Sequence, residues 1–117
     1  MYNLHMELIE RNTDRKNLKR LAEEKFGNLV KAVIDIEKKV MAVGAELHAD
    51  EESFLLERGS KQENLWGINL YPDKKDNNFI EFDSMINLRP SQGNKTRGID
   101  NPELREEVRN IIAQLVT

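Results

Sequence analysis

The sequence predicts an α+β domain: a mostly antiparallel sheet of about five strands, with helices packed on one face. Three observations carry that prediction. Apolar and polar residues alternate with period two over residues 2–8, 29–45, 65–71 and 79–88. Apolar residues instead recur at helical spacing over 18–26 and 104–115. Strand-like stretches also follow one another directly, which makes hairpins rather than crossovers. A chain of 117 residues fits one core, so 1–117 is taken as a single domain.

Taken in order, Tyr2, Leu4, Met6 and Leu8 alternate with Asn3, His5 and Glu7, the pattern of a half-buried strand. Thr13 then offers a cap, Leu18, Leu21, Ala22 and Phe26 form one apolar stripe, and Gly27 stops the helix. The β-branched run over 29–45 is a hairpin. A two-residue turn at Glu37-Lys38 would set Ile34 opposite Met41, Ala32 opposite Val43 and Val30 opposite Ala45. Residues 50–59 form a short helix with acids at its start and Gly59 at its stop. Ser60-Lys61-Gln62-Glu63 fits a capping box and one further turn. In the strand over 65–71, Trp66, Ile68 and Leu70 share a side. In the strand over 79–88, Ile80, Phe82, Ile86 and Leu88 do the same. Asn101-Pro102 opens the last helix, with Leu104, Val108, Ile111, Ile112 and Leu115 inward. The order is β-α-β-β-α-β-β-α.

Composition removes several function classes. No cysteine means no disulfide, no thiol nucleophile and no cysteine-ligated metal. A formal charge of −3 lends no support to nucleic acid or an anionic membrane as partner. No apolar run approaches the roughly 20 residues of a membrane helix, and the N-terminus lacks a signal-peptide pattern, so the expected location is the cytoplasm. Gly-x-Ser-x-Gly, His-Glu-x-x-His and Gly-x-Gly-x-x-Gly are all absent.

What remains is polar chemistry on the face that helices leave open. The strand registers put Lys31, Asp35, Asn69, Tyr71 and Glu81 there. They also bring together a candidate site of Glu46, His48, Asn69, Asp83, Asn87 and Arg89. Acids, amides, a histidine and an arginine on one surface suit acid–base work or a divalent cation, with Glu46 and Asp83 as its hard oxygen ligands. They equally suit a solvated face laced with ion pairs. The irregular loop after Arg89 adds a candidate anion-binding segment, Gln92, Asn94, Lys95 and Arg97, which is not a P-loop. An exposed basic loop is its plain alternative.

Three segments carry a resemblance: Gly44-Ala45-Glu46-Leu47-His48-Ala49-Asp50, the run from Gly59-Ser60-Lys61-Gln62 to Leu70-Tyr71-Pro72, and the run from Ile80-Glu81-Phe82-Asp83-Ser84 to Ser91-Gln92-Gly93-Asn94. Together they resemble a family of short, uncharacterised prokaryotic proteins, a domain of unknown function. The resemblance implies a stand-alone cytoplasmic protein and assigns no activity to any residue. Because a two-layer domain this small leaves one sheet face or edge unpaired, the expected function is a small binding or interaction module that self-associates, a homo-oligomer. The alternatives are a small hydrolytic or phosphate-directed enzyme using the open polar face and the Arg89–Arg97 loop and, more weakly, an RNA-binding module using Trp66, Tyr71 and that loop.

Overall fold

A computed structural model describes residues 6–117. The first expected strand therefore lies partly outside the described residues, Tyr2 and Leu4 among them. What is described is β1 (Glu7–Ile9), then α1 (Arg15–Lys25), β2 (Val30–Asp35), β3 (Val40–Val43), α2 (His48–Glu57), β4 (Leu65–Leu70), β5 (Ile80–Glu81) and α3 (Pro102–Leu115). The strands form one antiparallel sheet in the order β1-β3-β2-β4-β5, so the α+β class and the element order stand as expected.

The hairpin register also matches, with Ala32 opposite Val43 and Ile34 opposite Met41. Its turn is longer than two residues: pairing closes at Asp35 and Val40. Asp35 does the work that Asn-Gly would do elsewhere. Its Oδ1 accepts from the N–H groups of Glu37 and Lys38, both at 2.9 Å, and Lys39 takes a left-handed φ of 58°. The other Asp35 oxygen accepts from Ser60 at 2.6 Å, so that hydroxyl is spent on the hairpin and forms no capping box.

One face of the sheet carries the larger core. Ala32, Ile34, Met41, Val43, Trp66, Ile68 and Leu70 point into it and meet Leu18 and Leu21 of α1 and Val108, Ile111 and Ile112 of α3. Asp14, not Thr13, caps α1, and Gly27 ends it with φ of 88°. Asn101 caps α3 as expected, accepting from Glu103 N–H at 2.8 Å.

The expected packing of all helices on one face does not hold: the helices divide between the two faces, because the second face has an apolar patch of its own to cover. α2 packs on the opposite one, where Leu55 meets Val33, Ala42 and Leu65. It also starts earlier than expected, at His48: Asp50 lies in its first turn, and Leu47 stands at the N-cap without a side-chain hydrogen bond.

The expected strand over 79–88 is broken after Glu81. Ser84 starts a 3-10 turn at 85–87, its hydroxyl accepting from Ile86 N–H at 3.3 Å. Asn87 then takes the place of a strand. Its amide accepts from Gly67 N–H at 2.8 Å and donates to Gly67 O at 2.9 Å. The turn therefore lies directly on β4, and only glycine allows it: a Cβ at position 67 would sit 2.6 Å from Ser84. Ile86 consequently joins the smaller core, while Ile80 and Phe82 pack against the larger one, so they do not share a side.

Candidate functional site

The second face is apolar beneath the C-terminal part of α2 and polar at its N-terminus. There a cross-strand row runs Lys31–Asn69–Glu81 over β2, β4 and β5. Asn69 Nδ2 donates to Glu81 Oε1 at 2.9 Å, and the Tyr71 hydroxyl donates to the same oxygen at 2.9 Å. Because Nδ2 must face the Glu81 carboxylate, the orientation of the Asn69 amide is fixed. Its Oδ1, buried with the rest of the residue (7% exposed), has no hydrogen-bond partner.

His48, the first residue of α2, lies over this row. Its Nε2 stands 2.8 Å from the Ile68 carbonyl. A carbonyl can only accept, so Nε2 bears the proton and neutral imidazole keeps its lone pair on Nδ1. Burial pulls the His48 pKa below its ordinary 6.5, and Lys31 acts in the same direction; the Ile68 carbonyl, Asp83 and the Asn69 side chain oppose them. Neutral His48 offers no second N–H, and Asn69 Oδ1 remains an acceptor without a donor.

The opposite wall comes from the broken strand. Asp83 accepts from Arg97 Nε at 2.8 Å, and the Ser84–Ile86 turn follows it. Together these elements enclose a pocket of about 270 Å³ lined by Lys31, His48, Asn69, Asp83 and Arg97. Leu47 and Met85 stand on its rim and Ile86 lines it from the turn. The first N–H groups of any helix lack intrahelical acceptors. Here Leu47 supplies no capping oxygen, so the positive end of α2 adds to Lys31 and Arg97.

Of the residues that sequence singled out, His48, Asn69, Asp83 and Arg97 meet in this pocket. Glu46 is exposed and is not among the lining residues, so it does not join Asp83 there. No group of three or more His, Asp or Glu side chains that could hold a metal ion occurs among the described residues. Asn87 is fully buried beneath the turn, pairing with Gly67. Arg89 clamps the chain instead: it donates to the carbonyls of Gln62 and Leu65 and lies 4.0 Å over the Trp66 ring.

The loop after Arg89 is occupied with itself. Asn94 is buried and donates to the carbonyls of Asn87, Thr96 and Gly98, and Gln92 donates to Glu63 O at 2.8 Å. The Asp100 carboxylate accepts from the Lys95 N–H and the Thr96 hydroxyl, bonds that hold its pKa below the ordinary carboxylate value, the Thr96 bond foremost. An internal acid thus already takes the Lys95 N–H and the Thr96 hydroxyl.

Six lining residues escaped the sequence-derived site, Lys31, Leu47 and Met85 among them. Lys31 was visible on the open face but not grouped with His48. Leu47 and Met85 gave weaker signals: an apolar residue where a helix needs a cap, and a methionine out of phase with the alternation around it.

No helix among the described residues is long and apolar enough to cross a membrane. No curated protein and no solved structure matches the chain. A family model described as a protein of unknown function, DUF5674, matches residues 7–115, nearly the whole sequence. The chain belongs to that family.

Proposed function

We propose that this protein is a binding module for a small organic anion, held at the N-terminus of α2 between Lys31 and Arg97. The observation that carries the reading is convergence. Two cations, a buried imidazole, a buried amide with an unused oxygen and an uncapped helix start line one concave space. Among the pocket side chains Asp83 is the sole acid, and Arg97 is already paired with it. The balance therefore favours negative charge in the ligand. Phosphate, sulfate and short carboxylates should raise the melting temperature, since a ligand selective for the native state stabilises it by mass action. Lys31→Gln and Arg97→Ala should each reduce that rise. A panel of such anions that leaves the melting temperature unmoved at millimolar concentration removes the reading.

A second reading, a hydrolytic or phosphate-directed enzyme, has one observation in its favour. His48 is kept neutral by burial and keeps a lone pair on Nδ1, as a general base requires. Turnover of a phosphate or carboxylate ester that His48→Gln abolishes would replace the binding module with an enzyme. Self-association rests on different ground, the exposed apolar rim, because both edge strands are short: three residues in β1 and two in β5.

A further inference from the structure

We infer that the ligand of the His48 pocket is amphiphilic, an anionic head with a short aliphatic tail that lies between Leu47 and Met85. The inference rests on the anion-binding reading and adds the tail to it. Five large apolar side chains are exposed among the described residues, and the two most exposed are Met85 at 63% and Leu47 at 55%. Both stand on the rim of this one pocket, Leu47 on the α2 side and Met85 on the turn. Their neighbour Ile86 continues the apolar surface inward, where it joins the smaller core.

Leu47 occupies a position where Ser, Thr, Asp or Asn would cap the helix. Leucine there gives up the cap, leaves the first N–H groups open and presents a hydrocarbon surface beside them. A ligand that uses both features has charge at one end and carbon at the other. The unused Oδ1 of Asn69 points to the polar end independently of the helix terminus. It needs a donor, and an anion that draws a proton onto His48 would provide one through the second ring N–H. Size fits the same class. At about 270 Å³ the pocket lies just below the roughly 300–1,000 Å³ common for small-molecule sites. That is room for a short acid, not for a dinucleotide.

The rival occupant of the rim is a second copy of this chain, and one experiment separates the two. Acetate, butanoate, hexanoate and butyl phosphate are titrated calorimetrically into the intact protein, with inorganic phosphate as the tailless control. Affinity should rise with chain length, by up to roughly fourfold for each methylene buried, until the tail outgrows the rim. Leu47→Ala, which removes the hydrocarbon without adding a capping oxygen, and Met85→Ser should bring hexanoate towards the affinity of acetate and leave phosphate unchanged. Both residues are exposed, so neither change threatens the fold. If anions bind but chain length has no effect, the tail is overturned and the anion pocket stands. If none of them binds, both readings fall. If light scattering shows a dimer that Met85→Ser dissociates, the rim is a self-contact and the amphiphile reading fails.

Discussion

Two neighbouring rows on the second face of the sheet are built on the same strands and do opposite things. Leu8, Ala42, Val33 and Gly67 run in register across four strands, and Leu55 of α2 closes over them. Two residues further along, Lys31, Asn69 and Glu81 run across three, and the N-terminus of α2 leaves a pocket above them. In the first row every side chain is apolar or absent, so burial is favourable and no hydrogen bond is owed. In the second, each group needs a partner, and Asn69 Oδ1 lacks one. One helix covers both, so the row rather than the helix decides between core and site.

The comparison breaks first at Leu55, which is 1% exposed. Leu55→Ala should cost about 2–5 kcal/mol in urea unfolding, through lost transfer free energy and the cavity left behind. Lys31→Gln in the polar row should cost less than about 1 kcal/mol. Equal losses at the two positions would mean that the polar row is core and not a site.

Gly67 is the hinge between the rows. In the Gly67→Ala variant the new methyl would meet Ser84 at 2.6 Å, a contact no rotamer change at position 67 relieves. Overpacking of this kind costs about 1–3 kcal/mol. The turn bearing Met85 must lift, so anion binding should weaken along with stability. A variant that loses stability yet keeps full affinity would show that the turn does not shape the pocket.

The contrast was half legible in the sequence. Strict alternation over 29–45 and 65–71 fixed which side chains share a face, so the Ala32–Val43 and Ile34–Met41 pairs and the Lys31–Asn69–Glu81 face followed from pattern. Residues 79–88 alternate equally well, and there the pattern misleads. Asn87 pairs with Gly67 through its side-chain amide, a bond between residues 20 apart in the chain that periodicity does not register. The same cause moved Arg89 out of the site. Its guanidinium satisfies backbone carbonyls exposed where β4 begins, a need visible only once the strands are placed.

Buried acids sharpen the comparison at smaller amplitude. Glu51 lies three residues after His48 and is wholly buried. Its Oε2 accepts from Ala45 N–H at 3.1 Å, while Oε1 has no partner. Burial raises its pKa well above the ordinary 4.5. A carboxyl with a raised folded-state pKa keeps its proton longer in the folded chain than in the unfolded one. Its contribution to stability is full below pH 4.5 and is lost as pH rises towards the folded value. Glu51→Gln keeps the acceptor for Ala45 and removes the titration. The variant should gain on the parent as pH rises above 4.5, as read from urea midpoints across pH. His48 runs the other way: its lowered pKa means stability is lost as pH falls below 6.5. That slope should persist in Glu51→Gln, and its disappearance would show that the two groups were wrongly separated.

The smallest expected effect on stability is also the most telling. The Asp83–Arg97 pair is short at 2.8 Å, but its side chains are 43% and 54% exposed. Exposed ion pairs contribute about 0–1 kcal/mol, since water screens the attraction and two side chains lose freedom. Arg97→Ala should therefore leave the urea midpoint nearly unchanged. Within the pocket the same substitution removes one of two cations and frees Asp83 to repel an anion. Affinity for phosphate should fall well beyond what the stability change implies, and Asp83→Asn should partly restore it in the double variant. Adding salt should weaken binding to the parent more than to Arg97→Ala, because a screened interaction must be present to be screened. If Arg97→Ala costs stability and affinity in equal measure, the pair belongs with the apolar row as structure. If it costs affinity alone, the polar row is a binding site built on a sheet that does not depend on it.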